Sequence, residues 1–204
     1  MDRQEILTYE DYLALPETMQ RYEIIDGELI MPPAPLIGHQ WRSSRIYKEL
    51  DNYVDAHRLG VVLYAPVDVM ISKSPLKTRQ PDVLFISFAQ MQRYGLDNIE
   101  RLPYLEVAPD LVIEIVSPSE SAQHVEGKLV DYQRIGVQEC WLVRSPVETI
   151  EVVQFAGGVS RTVNTFGRGQ RIQSSVLPNW QPTVDALLAP LGSIKTPSSA
   201  GGQT

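Results

Sequence analysis

The run Leu111-Val112-Ile113-Glu114-Ile115-Val116 constrains the fold more than any other stretch of the chain. All but one of its residues are Leu, Val or Ile, and its length suits a strand better than a helix. Alternation puts Leu111, Ile113 and Ile115 on one face and Val112, Glu114 and Val116 on the other. Both faces are apolar apart from Glu114, so the strand belongs in the middle of a sheet that is covered on both sides. A carboxylate left unpaired there costs several kcal/mol or takes up a proton. Glu114 therefore requires a cation, a metal ion or hydrogen-bond donors.

The rest of the chain supplies elements to build around that strand. Thr8 caps a short first helix, with Asp11 in the third position of a capping box and Pro16 at the far end. Two short apolar runs flank Asp26-Gly27, the dipeptide of a tight hairpin. Apolar residues at helical spacing predict a helix from about His39 to His57, stopped by Gly60. "VVLYAPVDVMI" reads as one strand bulged near Pro66, and "SKSPLKTRQ" as a solvated polar loop within reach of a phosphate backbone. "PDVLFIS" is a strand entered through Pro81, and residues 88–109 are irregular, helical at first. The segment after Pro118 predicts a helix capped by Ser119 and stopped by Gly136; "QECWLV", "TIEVVQF" and "SRTVNTF" predict strands, and "TVDALLAP" a short helix. Residues 191–204 are small and polar, a disordered tail beyond a single domain over 1–190. Interleaved strands and helices indicate an α/β (α+β) domain around one mixed sheet. The helix after the Glu114 strand serves as a crossover that makes "QECWLV" parallel to it.

Composition narrows the function. With 25 acidic and 18 basic residues the formal charge is −7, which argues against a protein that simply coats nucleic acid. It leaves room for an enzyme with a local basic groove. The chain has no apolar run of the roughly 18 residues that a membrane span needs. Its first residues lack a basic region followed by an apolar stretch, so no secretion signal is expected. The lone Cys140, in an apolar setting, reads as core packing in a reducing, cytoplasmic compartment rather than as a nucleophile.

The chemistry-bearing residues gather around Glu114. Asp82 opens "PDVLFIS"; if the two strands are neighbours, both carboxylates converge near one sheet edge. Two hard carboxylates with a backbone carbonyl, that of Ile115, suit Mg²⁺ or Mn²⁺. Lys128 borders the Val125, Leu129, Tyr132 stripe of the next helix, so its ammonium can reach the sheet and stabilise charge developing on a phosphate. Each residue also has a purely structural reading. Glu114 and Lys128 can be a buried ion pair, Asp82 a turn residue and Tyr132 and Trp141 core. Glu23 can be a hairpin residue paired with Arg21 or a nearby lysine, and His39 merely a helix-start histidine. Asp110, about 13 Å along the strand from Glu114, is a strand-entry residue.

Taken in order, "RYEIIDGELI", "PDVLFIS", "APDLVIEIVSPSE", a Lys and a Tyr in the following helix, and "GVQECWLV" resemble the Uma-type family of restriction endonucleases, within the PD-(D/E)XK nuclease superfamily. The resemblance runs from about Arg21 to Val153. It implies a restriction-endonuclease-like fold, a mixed central sheet flanked by helices. It also implies Mg²⁺-dependent hydrolysis of DNA phosphodiester bonds, with Asp82 and Glu114 as metal ligands. Where the superfamily places a lysine, at position 116, this chain has Val116; the family's lysine corresponds to Lys128. Glu23 matches an acidic residue before the family's hairpin turn, and His39 a family histidine. Two positions depart from relatives, His124 in place of Asp and Arg144-Ser145 in place of Asp-Pro. By analogy, cutting a duplex with so small a domain implies a homodimer. The competing readings are a catalytically silent nuclease-like binding or regulatory module and, more distantly, a hydrolase using two carboxylates as acid and base.

Overall fold

The computed structural model describes residues 6–96, 98–157 and 159–193. Most of the tail assigned to 191–204 thus lies outside the described residues; Leu191–Ser193 form a 3₁₀ turn. Two sheets and five helices make up the described chain. The larger sheet holds β3 (Gly60–Tyr64), β6 (Val83–Ser87), β7 (Leu111–Val116), β8 (Glu139–Arg144), β9 (Thr149–Ala156) and β10 (Val159–Phe166), in the order β10-β9-β8-β7-β6-β3. β7 and β8 are parallel and all other neighbours antiparallel. The crossover between the parallel pair is α4 (Ala122–Ile135), as its position between the two strands predicted.

β7 sits near the centre, and each of its six residues is buried. Its odd residues pack with Val83, Phe85, Trp141 and Val143 under α2 (Ile37–His57), which contributes Ile46, Leu50 and Val54. α5 (Val184–Leu188), capped by Thr183, joins the same face. The even residues Val112 and Val116 meet Leu84, Cys140 and the α4 stripe Val125, Leu129 and Tyr132. Burying each such side chain contributes about 1.5–3 kcal/mol. Cys140 is wholly buried here and burial pushes its thiol well up, which fits packing and not nucleophilic chemistry.

The smaller sheet, in the order β2 (Glu28–Ile30), β1 (Glu23–Ile25), β5 (Leu76–Arg79) and β4 (Val69–Lys73), differs from the sequence-based expectation. Its hairpin is as expected: β1 (Glu23–Ile25) and β2 (Glu28–Ile30) turn on Asp26 and Gly27, both at positive φ. The other half is not. "VVLYAPVDVMI" is no single bulged strand: β3 ends at Tyr64, and β4 (Val69–Lys73) starts afresh in the other sheet. "SKSPLKTRQ" is no solvated loop: it contains β5 (Leu76–Arg79), with Leu76, Thr78, Arg79 and Gln80 buried. The strand is polar because carboxylates distant in the chain compensate its charges: Asp26 and Asp131 for Lys77, Glu23 and Asp131 for Arg79.

Helix ends also differ in detail. The turn after α2 is closed by Arg58 in the left-handed region, not by Gly60. Gly60 begins β3, where a Cβ would lie 2.0 Å from the Ile86 carbonyl oxygen. It is glycine because the neighbouring strand approaches so closely. α4 is capped by Ser121, two residues beyond the expected Ser119, and ends at Gly136 with φ 95° as expected. α1 (Tyr9–Leu13) carries the full Thr8–Asp11 capping box, and α3 (Phe88–Arg93) opens the irregular segment after β6.

Candidate active site

Strand register brings the two carboxylates together. Val83 pairs with Ile113 across β6 and β7, so Asp82, one residue earlier, falls opposite Glu114. Both lie in phase with Leu84 and Val112, on the face covered by α4. A cavity of about 760 Å³ opens over them, lined by Glu23, His39, Asp82, Glu114, Ile115 and Lys128, every residue proposed from the sequence.

Asp82 is 3 % exposed and has three partners. Arg21 Nη1 donates to Oδ1 at 2.6 Å; the Ile115 backbone N–H donates to Oδ2 at 2.7 Å; His39 Nε2 stands 3.4 Å from Oδ2. Burial alone pushes the carboxyl up, but the His39 hydrogen bond, the Arg21 guanidinium and the Ile115 amide together hold it below the usual carboxylate range. Glu114 is equally buried and goes the other way. Burial raises its carboxyl, and the Asp82 and Glu23 charges add to that, against the opposing pull of Lys128 and the Tyr132 hydroxyl. Lys128 Nζ donates to Glu114 Oε2 at 2.9 Å and lies 3.1 Å from Glu120 Oε1. Tyr132, one helical turn on, donates its hydroxyl to Glu114 Oε1. Burial would lower the Lys128 ammonium, but the charges of Glu114, Glu23 and Glu120 outweigh it and keep the amine protonated.

Glu23 is held differently from either sequence-based alternative. Its partner is neither Arg21 nor a lysine but Arg79 on β5, whose Nη1 donates to Oε2 at 2.8 Å. The same guanidinium donates through Nε to Asp131 Oδ2 on α4 at 2.8 Å, with Nη2 2.7 Å from that oxygen. Arg79 therefore ties the small sheet to α4 and aims Glu23 into the cavity. Asp110 is the strand-entry residue expected, accepting from the Ser87 N–H at 2.7 Å and Gln138 Nε2 at 2.6 Å.

Sequence reasoning missed Arg21 and Tyr132 as partners of the carboxylates, and His124, which lines the cavity 3.8 Å from Glu23 and 3.5 Å from Glu120. Tyr132 had a signal: it follows Lys128 by four residues, on the same helical stripe. Arg21 had none, because it reaches Asp82 only once β1 and β6 are brought together in space. Of the departing pair Arg144-Ser145, Ser145 borders the cavity and Arg144 pairs with Glu151 instead.

Among the described residues, no three His, Cys, Asp or Glu side chains stand together as a ready metal cage. Mg²⁺ and Mn²⁺ do not need one: they are held by one or two carboxylates and keep several waters. Two buried carboxylates on adjacent strands, both facing the cavity, fit that donor set. His39 Nδ1, buried at the cavity wall, has no hydrogen-bond partner among the described residues, so the wall keeps an unused polar atom for whatever enters.

Comparison with known proteins decides the family. The Uma2 family model, described as "Putative restriction endonuclease", matches residues 9–189. The chain belongs to this family. Among solved structures it is similar to a putative nuclease of the DUF820 group from Anabaena variabilis ATCC 29413, with a TM-score of 0.72 at 21% identity. That match covers 89% of this chain and 97% of the other. The Uma2 chain described here thus has the restriction-endonuclease-like fold that its motifs implied. No curated protein matches it. No helix among its described residues is long and apolar enough to cross a membrane.

Proposed function

We propose that this Uma2 chain is a divalent-metal-dependent endonuclease that hydrolyses DNA phosphodiester bonds. The observation that carries the reading is the Asp82–Glu114 pair, brought side by side at the entry of β6 and on β7 at the floor of a cavity, with Lys128 2.9 Å from Glu114. Asp82, Glu114 and the Ile115 carbonyl are the residues that would hold Mg²⁺ or Mn²⁺. When bound, the ion supplies an activated water and neutralises charge on the scissile phosphate. The protein's own groups do the rest. Lys128, kept protonated by its acidic neighbours, places a fixed positive charge where phosphate charge develops. Tyr132 and Lys128 fix the Glu114 carboxylate from two directions. Glu23, held by Arg79, faces the same space and would accept a proton from water entering it; His39 would orient Asp82 or contact substrate.

Plasmid cleavage with Mg²⁺ or Mn²⁺, beside an EDTA control and Glu114→Gln, tests this. Metal-dependent nicking lost in the variant supports the nuclease and its site. The alternative, a nuclease-like binding or regulatory module without turnover, draws on one observation: Arg21 and Lys128 already neutralise both carboxylates. Metal binding by calorimetry without cleavage of any nucleic acid would favour it. Cutting both strands of a duplex further calls for a homodimer, since a two-fold pair addresses both strands. Sedimentation equilibrium with and without DNA tests that part.

A further inference from the structure

Two arginines pair with the acids that line the cavity, and they are built for different tasks. Arg79 is 3 % exposed and shared between two carboxylates on two elements, Glu23 of β1 and Asp131 of α4. Removing it would leave Asp131 with only Lys77 at 3.4 Å and Glu23 with only His124 at 3.8 Å. Arg21 lies in the chain just before β1, with its side chain 24 % exposed at the cavity wall. Its fork is split: Nη1 donates to Asp82 Oδ1 at 2.6 Å, and Nη2 to the Gln80 carbonyl oxygen at 2.5 Å. One bond is therefore to a group the Proposed function assigns to a metal, the other to a backbone oxygen two residues away that needs no charge.

From this geometry we infer that Arg21 is an internal counter-ion which a divalent cation displaces from Asp82, so that Arg21 sets how much metal the site requires. The inference rests on Asp82 being a metal ligand. Asp82 Oδ2 faces both the Ile115 N–H and His39 Nε2 at 3.4 Å, so Oδ1 is the oxygen with fewer groups on it, and Arg21 sits there. A singly charged guanidinium and a doubly charged metal on one buried oxygen repel each other and compete for the same lone pairs. Lys128 does not compete in this way, because it also has Glu120 at 3.1 Å to hold it if Glu114 is engaged. When Arg21 leaves Oδ1, its second bond to Gln80 keeps the guanidinium in the cavity wall. There it can pair with an incoming phosphate, for which a planar fork is suited. The exchange leaves no carboxylate uncompensated in either state: arginine neutralises Asp82 without metal, and metal neutralises it with arginine on the phosphate.

The test is metal binding, not turnover. Mn²⁺ is titrated calorimetrically into the full chain, without nucleic acid, for wild type and Arg21→Gln. Gln keeps a donor and removes the charge. Tighter Mn²⁺ binding by Arg21→Gln, roughly tenfold for the loss of one competing charge interaction, supports the displacement. Arg21→Lys, which keeps the charge but cannot span Asp82 and Gln80 with one fork, should tighten binding by a smaller step. It serves as the test should the Gln variant not fold. Mn²⁺ binding by wild type that either variant weakens or leaves unchanged overturns the role of Arg21 alone. Absence of Mn²⁺ binding in wild type and variants overturns the metal reading of Asp82 and this inference with it.

Discussion

The two faces of β7 are made from one run of six residues, and they have opposite lives. Toward α2, the side chains of Leu111, Ile113 and Ile115 join an apolar cluster, and only Ile115 also serves the candidate site, through its backbone. Toward α4, Val112 and Val116 meet a similar core, but Glu114 between them joins Asp82 and Lys128 at the cavity and is held from behind by the buried Tyr132. The difference teaches that the candidate site is anchored in the sheet as well as in its loops. It is cut into one face of the central strand, and the other face holds the strand still while the first carries charge. A buried carboxylate can be tolerated here because α4 brings an ammonium and a hydroxyl to it from successive turns.

The sharpest way to break this comparison is to alter each face once. Glu114→Gln should keep the fold while lowering DNA cleavage about a thousandfold, close to 4 kcal/mol of barrier. Circular dichroism checks the first half and single-turnover cleavage the second. Ile113→Ala, one residue away on the opposite face, should do the reverse. It should cost about 3–4 kcal/mol of stability in urea denaturation and leave the rate of the folded fraction unchanged. If Ile113→Ala slows cleavage as much as Glu114→Gln does, the faces are not independent and the comparison fails.

A second pair sharpens what α4 contributes. Lys128→Met leaves Glu114 buried with only the Tyr132 hydroxyl, and should destabilise the chain by about 3 kcal/mol. Adding Glu114→Gln to it should restore part of that loss, since the uncompensated charge is then gone. Equilibrium unfolding of both variants measures the coupling. A double variant no more stable than Lys128→Met alone would mean that Glu114 had simply taken up a proton once its ammonium was removed.

Sequence periodicity carried the fold where a segment's burial depends on its own residues. The β7 alternation, the Asp26-Gly27 turn, the α4 stripe and the parallel β7–β8 pair were all readable for that reason. It failed where burial depends on residues far away. β5 and the Gln80 that follows it look like a loop because Lys77, Arg79 and Gln80 are polar, yet Arg79 and Gln80 are buried, with Asp131, Glu23 and Asp68 for partners. The same holds for the site. Asp82 and Glu114 could be paired from adjacent strands, but Arg21 reaches Asp82 across 61 residues of chain, and no local pattern predicts that. Local errors were of another kind: Arg58 closes α2 in a conformation usually left to glycine, and Gly60 proved to be needed for strand contact.

The smallest effect tests the electrostatic contrast between the two carboxylates themselves. Asp82 titrates below its ordinary value in the folded chain, so it contributes stability above the unfolded value, and that stability is lost as pH falls through the lowered one. Glu114 titrates above its ordinary value of 4.5, so the folded chain binds its proton more tightly than the unfolded chain does. Stability from Glu114 is present below 4.5 and lost as pH rises through the raised value. The two trends oppose each other in wild type. Glu114→Gln removes the second and leaves the first. The stability of Glu114→Gln relative to wild type should therefore climb as pH rises above about 4.5. Urea midpoints measured across that range in both proteins decide it. A flat difference would place Glu114 at the same proton affinity folded and unfolded, and would mean that Lys128 and Tyr132 compensate burial completely.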